Sequence, residues 1–539
     1  MVAGGVMTSA PRKQAIAPDG THPPIKALVC AAAAVSAIGG LIFGYDIGGS
    51  GGTFTMKGFR EQMDWPPVPT DGAEEPGFVT DEIGWITSLF ALGAVAGSIP
   101  SGWFTDKIGR KYSIILYSIV FTIAAVIMGC ANSVHMLYAG RFIGGIGVGG
   151  LSMASTCYQS EIAPESIRGL LVALQQLSIT FGIFLAALAN VGLKTWSEGW
   201  RLSYCGNGFL SFALIILMMF CPESPRWLYK VGKVEQARAV LHKVRQDYEV
   251  DMEMDLIAEQ EKEAQLAAQH HWSDLFKAAN NMRYRTLVGI AITSFQQLTG
   301  INAIMYFAPV IFSDFLSTDM ALIANLILMF VNFISTFITI ACVDKYGRRS
   351  LLAYGAAGMT ITLLVVCLLS SDLADYKNDA AVSWTIVGFC ALYVVNFAFS
   401  WGPVGWIVPA EIFPLDLRGK GMSLTTSANW LWNFIIGKVT PELLRQDRLD
   451  LWGTFLFFAA WCIIMFVFTM LYVPETRLVA LEEIDNVVSG FRRLPLSTRA
   501  TKARLAPEDQ LPSRPRDITD KLGDTSPYNA SSVEMAPGV

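Results

Sequence analysis

The sequence predicts an all-α membrane protein, about twelve transmembrane helices in two six-helix halves. Three observations predict it. Only 16% of the 539 residues are charged and 53% are hydrophobic, whereas a soluble domain has roughly 25% charged residues. The apolar residues come in blocks of about 20, the length of helix that crosses roughly 30 Å of hydrocarbon. Short charged motifs of the first half also return in the second at nearly one offset.

Taken in order, the apolar blocks place spans near 27–48, 82–104, 113–131, 137–159, 170–193, 202–221, 286–312, 320–342, 350–370, 383–409, 421–437 and 453–473. An even number of spans puts both termini on one face, and the positive-inside rule chooses that face. Loops on the terminal side carry Lys107, Arg110, Lys111, Arg168, Lys345, Arg348, Arg349, Arg418 and Lys420. The opposite loop at 50–81 holds Glu61, Asp64, Asp71, Glu74, Glu75 and Asp81 instead. Arg445 and Arg448 in 438–452 are a mild exception. Both termini are therefore expected in the cytoplasm.

The expected organisation is a cytoplasmic N-terminal segment (1–26), a six-helix half (27–221), a cytoplasmic linker (222–285), a second half (286–473) and a cytoplasmic tail (474–539). Within the linker, 231–268 is rich in Ala, Glu, Lys and Gln and reads as short amphipathic helices, not a catalytic domain. The tail past about 495 has the Pro, Ser, Thr and charge content of disorder. No cleavable leader is expected, because Arg12, Lys13 and Lys26 lie in a polar start and the next apolar block is long enough to span. Asn529-Ala530-Ser531 fits a glycosylation sequon, but this topology leaves it in the cytoplasm.

Several function classes are disfavoured. The net charge of −5 gives no reason for a nucleic-acid partner. The nine cysteines lie in or beside apolar blocks without zinc-ligand spacing and read as packing residues. The five histidines avoid the apolar blocks, which argues against a metal site or a histidine relay there. No nucleophile–base constellation or phosphate loop is visible, so neither an enzyme nor a cofactor is expected. Gly145-Ile146-Gly147-Val148-Gly149-Gly150 contains a dinucleotide fingerprint. It has no preceding strand and lies inside a span, where small residues serve close helix packing.

The repeats decide the architecture. Asp106-Lys107-Ile108-Gly109-Arg110-Lys111 recurs as Asp344-Lys345-Tyr346-Gly347-Arg348-Arg349. Glu161-Ile162-Ala163-Pro164, followed by Arg168, recurs as Glu411-Ile412-Phe413-Pro414, followed by Arg418. Pro222-Glu223-Ser224-Pro225-Arg226 has its partner in Pro474-Glu475-Thr476-Arg477. Offsets of 238, 250 and 252 residues describe a duplicated six-helix unit. Parallel halves about an axis along the membrane normal are how many secondary carriers are built, with the site near the midplane between them. Simple positive-inside anchoring would explain the basic residues but not the repeated acids. The preferred reading is an inner-gate network of Asp106, Arg110, Glu161, Arg168, Glu223, Arg226, Asp344, Arg348, Glu411, Arg418, Glu475 and Arg477. Such bridges are individually weak, roughly 0–1 kcal/mol. Together they can bias the balance between inward-open and outward-open states.

On these motifs, with Gln296-Gln297-Leu298-Thr299-Gly300-Ile301-Asn302 and Gly402-Pro403-Val404-Gly405-Trp406, the chain resembles the sugar-porter branch of the major facilitator superfamily over roughly 27–485. Phe43-Gly44-Tyr45-Asp46-Ile47-Gly48 looks most like plant, algal and fungal proton–monosaccharide symporters. The resemblance implies the major facilitator fold, a small sugar and a proton as cargo, and a carrier working as a monomer in the plasma membrane. One departure matters. The plant members pair cysteines of the first and last outer loops, and this chain has none in either.

A sugar site needs amides, which donate and accept, and an aromatic face to stack on. Gln176, Gln296, Gln297, Asn302, Asn332 and Asn429 fall inside apolar spans, where an unpaired amide costs several kcal/mol. Alone, each is also explained by helix–helix hydrogen bonding. Gln296 and Asn302 would face opposite ways on an ideal helix, and the resemblance implies a break near Gly300 that brings them together. Trp406 matches the family's stacking aromatic. Asp46 is the one acid of the first span, and an intramembrane acid is a functional hypothesis by default. Arg141 opens span four on the outer side, where snorkelling to the interface competes with pairing to Asp46. Deprotonated Asp46 would bind Arg141, and protonation would release it. The leading expectation is proton-coupled uptake of a hexose. A facilitative uniporter, a carrier of a pentose, polyol or disaccharide, and a non-transporting sugar receptor are the alternatives.

Overall fold

The computed structural model describes residues 26–69, 75–164, 168–267, 271–278, 281–371, 376–414, 417–445, 447–476, 484–493 and 499. Among the described residues the chain is helical, without strands. The first half comprises α1 (Ala27–Thr53), α2 (Lys57–Gln62), α3 (Gly77–Ile108), α4 (Arg110–Gly129), α5 (Val134–Ile162), α6 (Arg168–Leu193) and α7 (Gly199–Phe220). Then come α8 (Pro225–Lys230), α9 (Val234–Val244), α10 (Asp247–Ala267) and a 3₁₀ turn at Trp272–Phe276. The second half comprises α11 (Met282–Leu298), α12 (Ile301–Ser313), α13 (Thr318–Tyr346), α14 (Arg348–Leu369), α15 (Ala380–Phe399), α16 (Trp401–Ile412), α17 (Arg418–Leu443) and α18 (Asp450–Tyr472). A final helix, α19 (Ile484–Arg493), follows.

Among the described residues, ten helices or end-to-end helix pairs are long and apolar enough to cross a membrane. The remaining two of the twelve spans are α5 and α17, of 29 and 26 residues. Their length suffices, but their composition is more polar. Arg141, Gln159 and Glu161 lie in α5, and Asn429, Asn433 and Lys438 in α17. All of these but Lys438 are buried: α5 packs against α3 and α4, and α17 against α3 and α11.

Among the described residues, two spans are broken. Span seven changes direction at Thr299 and Gly300, where Gly300 has φ +84°, a conformation that costs glycine little. Span ten is interrupted at Ser400, between α15 and α16. The glycine run of α5 serves packing. A Cβ on Gly145 would stand 2.1 Å from the Phe90 carbonyl oxygen, and one on Gly149 2.3 Å from that of Ala94. These positions let α5 lie against the backbone of α3.

Helices α8–α10 pack on the first half. Trp227, Leu228, Ala237, Leu241 and Val244 share one apolar cluster with Val29, Tyr158 and Ile162. Lys26 Nζ donates to the His242 carbonyl at 2.6 Å, so the entry to α1 and the linker lie on one face, the terminal face. On the far face the described part of the acidic loop is held by packing. Phe59 packs edge-on to Trp65 and Trp200, with centroids 5.3 Å away in each case. The buried Arg60 guanidinium reaches Glu75 at 2.5 Å, and Trp65 Nε1 donates to Glu82 at 2.6 Å. This aromatic–arginine knot ties the described residues of the loop together without a cysteine. Two ion pairs then join the halves at the far face, Asp81 with Lys438, and Lys194 with Asp319 at 2.7 Å.

Candidate functional site

Helices α1 and α5 cross with Asp46 and Arg141 facing each other. Arg141 Nη1 donates to Asp46 Oδ2 at 2.6 Å, and its Nε donates to the Ile86 carbonyl at 2.9 Å. The guanidinium also lies over the Phe90 ring, 4.6 Å from its centroid. Arg141 is 0% exposed, so it does not snorkel to the interface. Removing one member of such a pair leaves an uncompensated buried charge, which costs about 3–5 kcal/mol.

The break at Gly300 does what the amide spacing requires. Asn302 Nδ2 donates to Gln297 Oε1 at 2.5 Å, Gln297 Nε2 to Asn429 Oδ1 at 3.0 Å, and Asn429 Nδ2 to Gln296 Oε1 at 2.7 Å. Four of the six expected amides thus form one chain across α11, α12 and α17. Gln296 Nε2 closes its end on the Trp401 and Gly402 carbonyls at 2.9 and 2.7 Å, tying the chain to the start of α16. Trp406, one turn further along α16, is half-buried.

The other two amides stand apart from this chain. Thr336 and Thr180 hydroxyls meet across the halves at 3.2 Å. Gln176 lies one turn from Thr180 on α6, and Asn332 one turn from Thr336 on α13, its Nδ2 3.9 Å from Met305 Sδ. The two helices run in opposite directions, so Gln176 and Asn332 lie on opposite sides of the threonine contact. Each is about 5–6 Å from it along its own axis.

Other buried polar residues escaped the sequence reading. Tyr306 donates to Asn433 Oδ1 at 3.0 Å, and Gln159 Nε2 to Gln175 Oε1 at 3.2 Å. Asn433 follows Asn429 by one helical turn, and that spacing was a signal for a shared face. For the adjacent Gln175 and Gln176, no sequence signal separates the buried partner of Gln159 from the half-buried neighbour.

On the terminal face the repeated motifs build equivalent clusters. Arg110 Nη2 donates to Glu161 at 2.8 Å and Nη1 to Asp106 at 3.2 Å; Ser224 Oγ also donates to Glu161. In the second half, Arg348 Nη2 and Nε donate to Glu411 at 3.0 and 3.2 Å, and Thr476 Oγ1 donates to it at 2.6 Å. Each of these contacts stays within its own half. Glu223 and Glu475 act differently from simple ion-pair partners. Glu223 accepts from the backbone N–H of Arg110 and Lys111 at 3.0 and 3.1 Å, capping α4. Glu475 accepts from those of Arg348 and Arg349 at 2.9 and 3.2 Å, capping α14. An acid from a distant loop thus meets the positive end of each helix. Burial pushes the Glu223 carboxyl above the ordinary carboxylate range, while the backbone amides of Ser224, Lys111 and Arg110 pull it down. Arg226 is half-buried on α8. The side chains of Arg168, Asp344, Arg418 and Arg477 lie outside the described residues.

Comparison with known proteins places this geometry. The pattern of the sugar (and other) transporter family matches residues 32–488. The chain belongs to the sugar transporter family. It is therefore an integral membrane protein of a transporter family, not an enzyme family. It is 36% identical to Sugar transport protein 12 of Arabidopsis thaliana over 466 residues, covering 84% of this chain and 90% of that relative. It is 37% identical to H(+)/hexose cotransporter 2 of Parachlorella kessleri over 462 residues, covering 83% and 84%. Among solved structures it resembles the proton:xylose symporter XylE bound to 6-bromo-6-deoxy-D-glucose. The TM-score is 0.70 at 27% identity, covering 85% of this chain and 98% of that one. These likenesses bear out the major facilitator fold that the sequence resemblance implied.

Proposed function

We propose that this protein is a proton-coupled sugar symporter, taking up a monosaccharide, in the first instance a hexose, by alternating access. The observation that carries the reading is a sealed Asp46–Arg141 pair joined by helix packing to a chain of amides. Little more than a turn beyond Asp46, Gly51 packs against Tyr306, which is one turn beyond Asn302. A sugar entering between the halves replaces amide–amide bonds with bonds to its hydroxyls, and Trp406 supplies the apolar face. Gln296, Gln297, Asn302 and Asn429 bind from one side, with Gln176 and Asn332 to either side of the threonine contact. Protonation of Asp46 releases Arg141 and lets α1 move with its load. The proton–hexose cotransport in the name of the Parachlorella kessleri relative and the proton–xylose symport in that of XylE support the same kind of cargo.

The rest of the reading follows the charge pattern. The terminal face is cytoplasmic, the membrane is the plasma membrane, and the carrier works as a monomer. Residues 27–221 and 286–473 are the two moving halves, and 222–285 is the cytoplasmic linker. The clusters around Arg110–Glu161 and Arg348–Glu411 form the inner gate, in which Arg168, Arg226, Asp344, Arg418 and Arg477 also take part.

The reading is tested in cells lacking sugar carriers, with a panel of labelled sugars and external pH recorded. Hexose uptake with external alkalinisation is expected. Uptake without a proton signal or pH dependence would make the protein a uniporter, and binding without uptake a receptor. The amide chain has its own test. Gln297→Ala leaves both Asn302 and Asn429 short of a partner. It is expected to weaken apparent sugar affinity by about 1–3 kcal/mol, the cost of unpairing buried polar groups. An unchanged affinity in a variant delivered normally to the membrane would remove Gln297 from the site.

A further inference from the structure

Two buried arginines outside the repeated motifs hold equivalent places in the two halves. Arg245, which follows α9, is 2% exposed. Its Nη1 donates to the Ile162 carbonyl at 2.9 Å and its Nη2 to that of Ala163 at 3.1 Å. Arg285, in the first turn of α11, is 0% exposed, and its Nη1 donates to the Ile412 carbonyl at 2.9 Å. Ile162 and Ile412 are the last residues of α5 and α16, and each directly follows a gate glutamate, Glu161 or Glu411. The last carbonyls of a helix have no partner within it and carry partial negative charge. A buried guanidinium satisfies both needs. The duplication did not supply this match, because Arg245 and Arg285 do not stand at the repeat offset. Each half takes its arginine from a different part of the chain. Arg245 is itself held by α10, donating from Nε and Nη2 to the Glu253 carboxylate at 2.9 and 3.0 Å.

We propose that Arg245 and Arg285 are positioning residues of the inner gate. Each holds the helix end that presents a gate carboxylate, so that Glu161 meets Arg110 and Glu411 meets Arg348 in register. The linker is then a mechanical part of the first half, and Glu253 acts on the gate through Arg245. The transport consequence rests on the symporter reading, whereas the positional consequence does not.

Cys157 provides a native reporter. It lies one turn before Glu161, with Sγ 3.3 Å from Glu161 Oε1, and is 7% exposed. In the full chain with Cys157 as the sole cysteine, N-ethylmaleimide labelling is followed beside labelled-sugar uptake. Arg245→Ala is expected to speed Cys157 labelling by about tenfold, since reactivity follows access. It is also expected to cut maximal uptake by about tenfold with little change in KM, the sign of a lost step in the cycle and not of lost binding. Arg245→Lys, which keeps charge but not the two-carbonyl grip, falls between. Arg285→Ala lowers uptake similarly but leaves Cys157 labelling at the parent rate, because it acts on the other half. Unchanged labelling in Arg245→Ala overturns the proposal. Equal acceleration by Arg285→Ala indicates general loosening and overturns it too. Absence of sugar uptake in the parent chain defeats the symporter reading alone, and the labelling pattern still decides the positioning role.

Discussion

Asp46→Asn is expected to abolish sugar accumulation while leaving exchange of labelled sugar across the membrane. The size of the effect follows from what a proton contributes. One positive charge entering through a potential of about 150 mV supplies roughly 3.5 kcal/mol. An external pH about one unit lower adds about 1.4 kcal/mol. Together, near 5 kcal/mol supports a concentration ratio of several thousandfold at one proton per sugar. A carrier that binds no proton reaches a ratio of about one. Asparagine keeps an oxygen for Arg141 but can neither take nor give up the proton, so the pair loses its two alternatives. Arg141→Ala fails differently: it removes the guanidinium that Asp46 pairs with and strands a buried carboxylate. The measurement is sugar-induced proton uptake and steady-state accumulation in wild type and Asp46→Asn. A variant that still accumulates sugar against its gradient would show that the coupled proton rides elsewhere.

How far the sequence carried depends on what each signal reports. Apolar block length reports membrane crossing, so the spans were legible, α5 and α17 included. Block edges were less so. The first span runs on to Thr53, and α3 begins at Gly77, because Ser50, Thr53 and Thr80 are buried against protein despite their polarity. The Asp46–Arg141 pair was legible because charge is rare in these helices. Helix-internal glycine left the break at Gly300 to the resemblance, and without it the facing of Gln296 and Asn302 stays undetermined. Residues whose role is set by tertiary partners were not legible. Arg60 looks like one more loop cation until Phe54, Phe59 and Trp65 enclose it. Glu223 looks like half of a salt bridge, yet it caps a helix that begins far earlier in the chain. Arg245 and Arg285 sit in charge-bearing segments where no pattern distinguishes a buried arginine from its exposed neighbours.

Gly51→Val is expected to slow the cycle about a hundredfold, exchange included. A Cβ at this position would stand 2.1 Å from the Tyr306 carbonyl oxygen and 3.2 Å from Pro309 Cδ. Both are backbone or ring atoms that cannot rotate away, so α1 and α12 must separate. Overpacking of this kind typically costs about 1–3 kcal/mol. Charged wholly against the far-closed state, about 3 kcal/mol lowers its population about a hundredfold. The ion pair of Asp81 with Lys438 reports that state, since it joins the halves at the same face. Cysteines placed at both positions are expected to cross-link readily in the parent and about a hundredfold more slowly with Gly51→Val. Sugar binding from the far side is expected to persist, because the amide chain lies deeper, on α11, α12 and α17. This separates the variant from Asp46→Asn, which exchanges but does not accumulate. Normal cross-linking and normal exchange in Gly51→Val would show that the halves close without the α1–α12 contact. The mechanical link between the proton pair and the sugar amides would then have to run through α1 and α17, where Phe43 and Trp430 meet across the halves with centroids 5.4 Å apart.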